Sequence, residues 1–513
     1  MNPFPRRVRP LLPLAICLLA VAAAQAAVRL PPWFSDGAVL QRGQANTIWG
    51  WASAGEKVRV AFHAQEVETT ADAEGRWRVV LKAEAPTSVA APLRVTGDTT
   101  LVLQDVVVGD VWICAGQSNM EAVVANALAP AREIAAANFP AIRQIKIARQ
   151  LSEAPKEEVG ATAWVRAVPE QVGRFSAVGY FFAREFFRKT GVPVGLVNCT
   201  WSGTPIEPWI SGEILARDPA FAPVAARWKT DLAAYPERRA AFERALADWK
   251  KLAEAEQRKS PEAHRAFLSA HRAPRPPSTA PDHPYPSNPS AIYNGMVHPL
   301  RQAAVRGVLW YQGEANAVRA GEYAALFRAS IGGWRTAFGQ PEMPFYWVQI
   351  ANFLVDTDWP GLREAQAAAL TLPATGQAVT IDIGDPHDIH PSNKQEVGRR
   401  LALIALAQLE KRAVEHHGPS FSGVEFAKGV ARVSFRHAAG LHTRSGAAAS
   451  LEVAGEDRVF HAAEGRIDSE GLLVSSPAVP QPIAVRYAWK AAPQANLYNL
   501  AGLPAAPFRS DAW

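Results

Sequence analysis

Residues 110–120 read DVWICAGQSNM. From Val111 to Gly116 the run is apolar, without the alternation of a half-exposed strand. Successive strand side chains point to opposite faces, so an unbroken apolar run describes a strand covered on both sides. Such strands build parallel α/β sheets, and ligands bind in those sheets beyond the carboxyl ends of the strands. The run ends on Gly116 and Gln117, and Ser118 follows, beside Asn119. Ser118 is therefore either a turn residue or a nucleophile held at the sheet edge. In the second case its backbone N–H, near a helix start, is suited to an oxyanion.

The same rhythm continues outward. VPVGLVNCTWSG (192–203), VRGVLWYQGE (305–314), PFYWVQI (344–350) and QAVTIDIGD (377–385) read as further buried strands. SAVGYFFAREFFRKTG (176–191) has a helical period, with Ser176 placed to cap its start and Gly191 its end. NKQEVGRRLALIALAQL (393–409) is a second clear helix. Strands alternating with helices predict a mostly parallel α/β sheet over 107–412. Before it, KVRVAFH (57–63), RWRVVLK (76–82) and TTLVLQDVVV (99–108) are short β-rich runs between turns such as Ala54-Gly55 and Glu74-Gly75. They predict an all-β sandwich over 27–106. GVARVSFRHA, GLLVSS and PIAVRYAWK predict a second β-rich module over 413–513.

Residues 211–290 interrupt the alternation. PERRAAFERALADWKKLAEAEQRK starts with Pro236 in a first-turn position and sets Phe242, Ala245, Leu246, Trp249 and Leu252 on one stripe. The Pro- and Ser-rich strip at 271–290 reads as an extended loop. The insertion is either a surface excursion or a lid over a cleft.

Arg6, Arg7 and Arg9 precede an apolar stretch from Leu11 to Ala24 and the small-x-small triplet Ala24-Gln25-Ala26. Residues 1–26 thus read as an export signal, too short for a comfortable membrane span. Its removal would leave no integral membrane segment, and the protein is expected to be periplasmic or secreted. Losing three arginines and no acid lowers the formal charge from +6 to +3. That near-neutral balance argues against a nucleic-acid partner. Only Cys114 and Cys199 remain, expected as buried free thiols on neighbouring strands, so stability must come from burial.

Three more strand ends carry polar residues beside Ser118. WSGTPIEPW (201–209) brings Gly203, whose backbone can approach a ligand closely. WYQGEAN (310–316) brings Gln312 and Glu314, and IDIGDPHDIHP (381–391) brings His390 near Asp388 and Asp385. Acyl transfer needs a nucleophile, a base with an orienting acid, and donors for a tetrahedral oxyanion. The rival reading is a metal site at Asp382, Asp385, His387, Asp388 and His390, which would leave Ser118, Gly203 and Gln312 without a role. The expectation is chemistry with no metal and no cofactor.

Together GQSNM, GTPIEPW, YNGMVHPL, LWYQGEAN and DIHPSNKQEVGRRLA resemble the sialate O-acetylesterase family of SGNH hydrolases, over about residues 109–410. The flanking β modules also fit bacterial carbohydrate acetylesterases of this family. The resemblance implies a flavodoxin-like SGNH-hydrolase α/β/α sandwich with flanking β-sandwich modules, and metal-free removal of acetyl groups from sugars. By correspondence Ser118 is the nucleophile, Gly203 and Gln312 are the second and third oxyanion donors, and His390 is the base. Asp388 is the preferred orienting acid, with Glu314 and then Asp385 as alternatives, because position 387 is His where related enzymes often carry Asp. Glu314, Asn119, Trp209 and Trp201 are expected to contact an acetylated oligosaccharide or glycan. For a sialic acid carboxylate Arg174 or Arg363 could serve; for xylan or another neutral glycan Trp201, Trp209, Trp310 or Trp359 could. The remaining alternatives are a lipase or thioesterase on the same scaffold, the metal-dependent hydrolase, and a noncatalytic carbohydrate-binding protein.

Overall fold

The computed structural model describes residues 27–277 and 285–513. The expected export signal at 1–26 and part of the Pro-rich strip lie outside the described residues. Six parallel strands form the central sheet: β1 (Thr100–Gly116), β2 (Phe139–Lys146), β3 (Val194–Thr200), β4 (Gly307–Tyr311), β5 (Phe345–Val348) and β6 (Thr375–Ala378). Their order is β2-β3-β1-β4-β5-β6, with Val165–Ala167 antiparallel on the β2 edge.

Alternate residues of β1 feed two different cores. Trp112 and Cys114 pack under helices α1 (Ala177–Thr190) and α4 (Lys394–Gln408). Val111, Ile113 and Ala115 belong to the opposite core, with α2 (Ala320–Ala337) and α3 (Trp359–Ala367). A strand with helices on both faces has no polar side, which explains the unbroken apolar runs. The result is a three-layer α/β/α sandwich. Helix α1 begins as expected, Gly179 N donating to Ser176 Oγ at 3.2 Å, and ends at Gly191 with φ +70°. Helices α1 and α4 cross so closely that a Cβ on Gly398 would lie 2.5 Å from Phe182 N.

Strand β2 carries no unbroken apolar run, which hid it in the sequence. Arg143 and Gln144 are buried within it. The Arg143 guanidinium donates to the carbonyls of Gly37 and Asp105 and pairs with the Asp105 carboxylate, so its charge is compensated inside. The run at 377–385 is the converse case, since β6 stops at Ala378 and turns follow from Ile381. There the Asp382 side chain is buried against Arg400, Oδ1 at 2.6 Å from Nη1, which draws the chain out of the sheet.

Strand β1 is shared between two structures. Its first half pairs antiparallel with Thr87–Thr96 and its last residues pair parallel with β3 and β4. The expected boundary at residues 106 and 107 therefore falls inside one continuous strand. The carboxyl-terminal module is a seven-stranded antiparallel sheet. Arg363 joins it to the α/β unit. Fully buried, Arg363 donates to the carbonyls of Ile350 and Ala351 on one side and of Lys490 and Ala491 on the other.

The insertion forms helices, the longest being Tyr235–Lys259 followed by Pro261–Ala270. Trp249 packs against Phe267 at 5.9 Å between ring centroids, so the two helices cover each other. Leu252, expected on the covered stripe, is exposed, and Ala253 is buried instead. Among the described residues no helix is long and apolar enough to cross a membrane.

Candidate active site

Strand β1 ends where it must pass close to β4. A Cβ on Gly116 would sit 2.2 Å from the Tyr311 carbonyl oxygen, and the residue has φ +129°. Two residues later Ser118 opens a one-turn helix, Ser118–Glu121. Its Oγ lies 2.8 Å from His390 Nε2. These residues are 272 positions apart in the chain and meet at the carboxyl edge of the sheet.

His390 comes from the loop between β6 and α4. Two aspartates shape that loop by accepting backbone hydrogens, Asp385 Oδ1 from His387 N and Asp388 Oδ1 from His390 N, each at 2.8 Å. Such turns are a common use of short acidic side chains. They also fix where Asp388 can reach. Its nearest oxygen is 3.8 Å from His390 Nδ1, beyond hydrogen-bond distance, and the two side chains are 60% and 48% exposed.

Glu314, the alternative acid, is buried and faces Asn119, whose Nδ2 donates to Oε1 at 2.6 Å. Among the described residues its Oε2 has no hydrogen-bond partner. Burial raises its carboxyl above the usual range, opposed by hydrogen bonds, including that of Asn119, and by the charges of Lys394 and His390. Neither carboxylate hydrogen-bonds the ring. Asn119, expected against substrate, is itself buried; it also donates to Ile389 O at 2.9 Å and accepts from Lys394 Nζ at 2.5 Å. Burial pulls the Lys394 ammonium down to about 8, with Glu314 and Asp388 opposing.

Gly203 is exposed in the turn after β3 with φ +73°, a backbone region that favours glycine. The turn is tied to the Ser118 helix, because Glu121 Oε2 accepts from Ser202 N at 3.0 Å and from Ser202 Oγ at 2.5 Å. Gln312 differs from its expected role as a free donor. Its Nε2 donates to Thr204 O at 3.2 Å and to Asn316 Oδ1 at 2.8 Å, while its Oε1 accepts from Tyr323 at 2.9 Å. Asn316 Nδ2 donates to Glu207, so Asn316 must turn its oxygen to Gln312, which fixes both amides. Both amide protons of Gln312 are thus engaged, one of them holding the carbonyl of Thr204, the residue after Gly203.

Of the tryptophans, Trp209, Trp310 and Trp359 are core residues. Trp209 packs edge-on against Trp310 and donates from Nε1 to Thr204 Oγ1 at 3.1 Å, so it offers no face to a sugar. Trp201 is half-buried at the site, with the Arg149 guanidinium 5.4 Å from its ring centroid. Arg363 is enclosed by carbonyls, whereas Arg174 is exposed. Arg149 beside Trp201 pairs with Glu121 at 2.6 Å, and Lys146 pairs with the same carboxylate at 3.3 Å. No motif marked either residue.

The Asp/His run at 382–390 does not converge. Asp382 is held by Arg400 and Tyr498, Asp385 and Asp388 serve the loop backbone, and His390 faces Ser118. Among the described residues no three potential metal ligands come together. Cys114 and Cys199 are buried free thiols on β1 and β3, as expected, and burial pushes the Cys199 thiol up to about 12.

A doubly wound α/β sheet with a serine and a histidine in contact at its carboxyl edge is a frame of ester hydrolases. The chain belongs to the sialate O-acetylesterase family and is a carboxylic ester hydrolase acting on carbohydrate acetyl esters. Residues 108–237 and 283–407 match the family model for carbohydrate esterases described as sialic acid-specific acetylesterase. A rat sialate O-acetylesterase is 30% identical over 441 residues, 77% of each chain. An orangutan (Pongo abelii) sialate O-acetylesterase is 27% identical over 96% of this chain and 95% of its own. The crystal structure of a carbohydrate acetylesterase from Xanthomonas citri superposes with a TM-score of 0.79 and 38% identity, covering 95% of this chain and all of that one.

Proposed function

We propose that hydrolysis runs through an acetyl-serine intermediate at Ser118. The observation that carries this reading is the 2.8 Å contact between Ser118 Oγ and His390 Nε2. The Ser118 oxygen attacks the acetyl carbonyl carbon while His390 Nε2 takes its proton. The oxyanion that forms meets the backbone N–H groups of Ser118 and Gly203. Collapse breaks the carbon–oxygen bond to the sugar, and the imidazolium returns the proton to the departing sugar oxygen. Water, deprotonated by His390, then attacks the acetyl-serine and releases acetate and the free serine. Asp388 stabilises the imidazolium through its charge, and Gln312 secures the loop that carries Gly203.

The substrate is an acetylated glycan, and two classes are in play. The 38% identity to a bacterial carbohydrate acetylesterase supports a carbohydrate acetyl ester without choosing the sugar, and a general or plant-type glycan such as acetylated xylan is the first class. Arg149 beside Trp201, with Lys146 on the same Glu121 carboxylate, supplies the cations that a carboxylated sugar such as O-acetylated sialic acid would meet. The reading at 1–26 supports export to the periplasm or beyond. Acetate release from acetylated xylan, compared with release from O-acetylated sialic acid, separates the substrates. Ser118→Ala tests the mechanism: it should fold and lose nearly all hydrolysis of an aryl acetate. Wild-type turnover in that variant would refute the acetyl-serine route.

A further inference from the structure

The contact between Ser118 and His390 joins a half-buried helix start to an exposed loop, yet among the described residues no carboxylate hydrogen-bonds the imidazole. Something else must hold the ring in place. Directly beneath it lies one buried amide. Asn119, the residue after Ser118, gives one proton to Ile389 O, the carbonyl just before His390, at 2.9 Å. Its second proton goes to Glu314 Oε1 at 2.6 Å, and its oxygen accepts from Lys394 Nζ at 2.5 Å. The orientation is unambiguous, because an ammonium only donates and a carbonyl only accepts.

We propose that Asn119 and Lys394 form a buried clasp that positions His390 against Ser118. Asn119 holds the base loop on both sides of His390, at residue 389 and at residue 394, and it is covalently joined to the nucleophile. Lys394 is the first residue of α4 and only 2% exposed. Among the described residues no carboxylate lies within ion-pair distance of it; the Tyr311 ring lies 5.4 Å away, and the charges of Glu314 and Asp388 act on it from farther than a direct ion pair. A buried ammonium without a direct counter-ion is costly, so its role here is specific. It neutralises Glu314 through the Asn119 amide and locks that amide in the orientation that faces Ile389. Both are positioning residues: neither touches Ser118 Oγ nor the imidazole ring.

The inference rests on the acetyl-serine reading, so Ser118→Ala is carried in parallel. Asn119→Asp keeps an acceptor for Lys394 and gains an ion pair with it that offsets the repulsion from Glu314 Oε1, but as a carboxylate it cannot donate to Ile389 O. Lys394→Met removes the lock. In each variant kcat for an aryl acetate should fall about 100-fold, the scale expected when a reacting group is misplaced by about 1 Å. KM should stay within about twofold, and the rate at which an organophosphonate labels Ser118 should fall in parallel with kcat. The double variant should be no slower than the worse single one, since both act through one clasp. Should Lys394→Met fail to fold, Asn119→Asp carries the test alone. Folded Asn119→Asp with wild-type kcat and labelling rate, while Ser118→Ala is inactive, would overturn the clasp and leave the esterase reading standing. Activity retained in Ser118→Ala would remove both.

Discussion

Replacing Asp388 by Asn isolates one charge. The Oδ1 acceptor that shapes the loop for His390 N is retained, so the backbone turn persists. What is lost is the negative charge 3.8 Å from His390 Nδ1. At such a distance two unit charges attract by roughly 1 kcal/mol in water and roughly 4 kcal/mol at an effective dielectric of 20. Both side chains are about half exposed, which puts the pair near the lower figure. Loss of about 1 kcal/mol of imidazolium stabilisation corresponds to about a fivefold to tenfold fall in kcat. A triad acid hydrogen-bonded to its histidine is worth far more, about 10⁴-fold when made an amide. The assay is steady-state hydrolysis of an aryl acetate, with thermal unfolding as a check on folding. A fall of 10³-fold or more in folded Asp388→Asn would refute the reasoning, because it requires a hydrogen bond to Nδ1 in the reacting enzyme.

Gln312→Ala should lower kcat more than it raises KM, because the Gly203 loop loses its tie at Thr204; a change confined to KM would show a substrate-binding role instead. Trp209→Ala should destabilise the fold by about 3–5 kcal/mol in denaturant unfolding, as expected for a fully buried indole, whereas Trp201→Ala, at a half-buried indole, should cost less stability and raise KM for a glycan. Lys394 is pulled down to about 8 in the folded state, so between about pH 8 and 10.4 the unfolded chain binds more protons and the cost of burying it shrinks as pH rises. The stability of wild type relative to Lys394→Met should therefore increase across that window, by on the order of 3 kcal/mol; a flat difference would show that Lys394 titrates normally.

The α/β/α sandwich was legible in the sequence because strands β1, β4 and β5 are apolar on both faces, β3 nearly so, and they stop abruptly at Gly or polar residues. Those stops also marked Ser118, Gly203, Gln312, Glu314 and His390 as residues of one sheet edge. Strand β2 escaped because its interior holds Arg143 and Gln144, whose partners come from distant segments. The boundary near residue 106 was placed by a change of rhythm that a single strand runs straight across.

What the sequence by itself determined is the layer architecture and the edge at which polar groups gather, since both follow from local periodicity and turn chemistry. Only the tertiary structure decided which way those groups face. Trp209 and Trp201 have the same chemistry eight residues apart, but Trp209 points into the core beside Trp310 and Trp201 stays at the site. Gln312 is turned inward by Asn316 and Tyr323, and Asp388 is held off the imidazole by its own backbone turn. The pairing of Asn119 with Lys394 joins residues 275 apart in the chain, and nothing in either neighbourhood foretells it. Periodicity specifies which residues are buried; hydrogen bonds between distant segments specify what each buried polar group faces, and those partners exist only once the chain has folded.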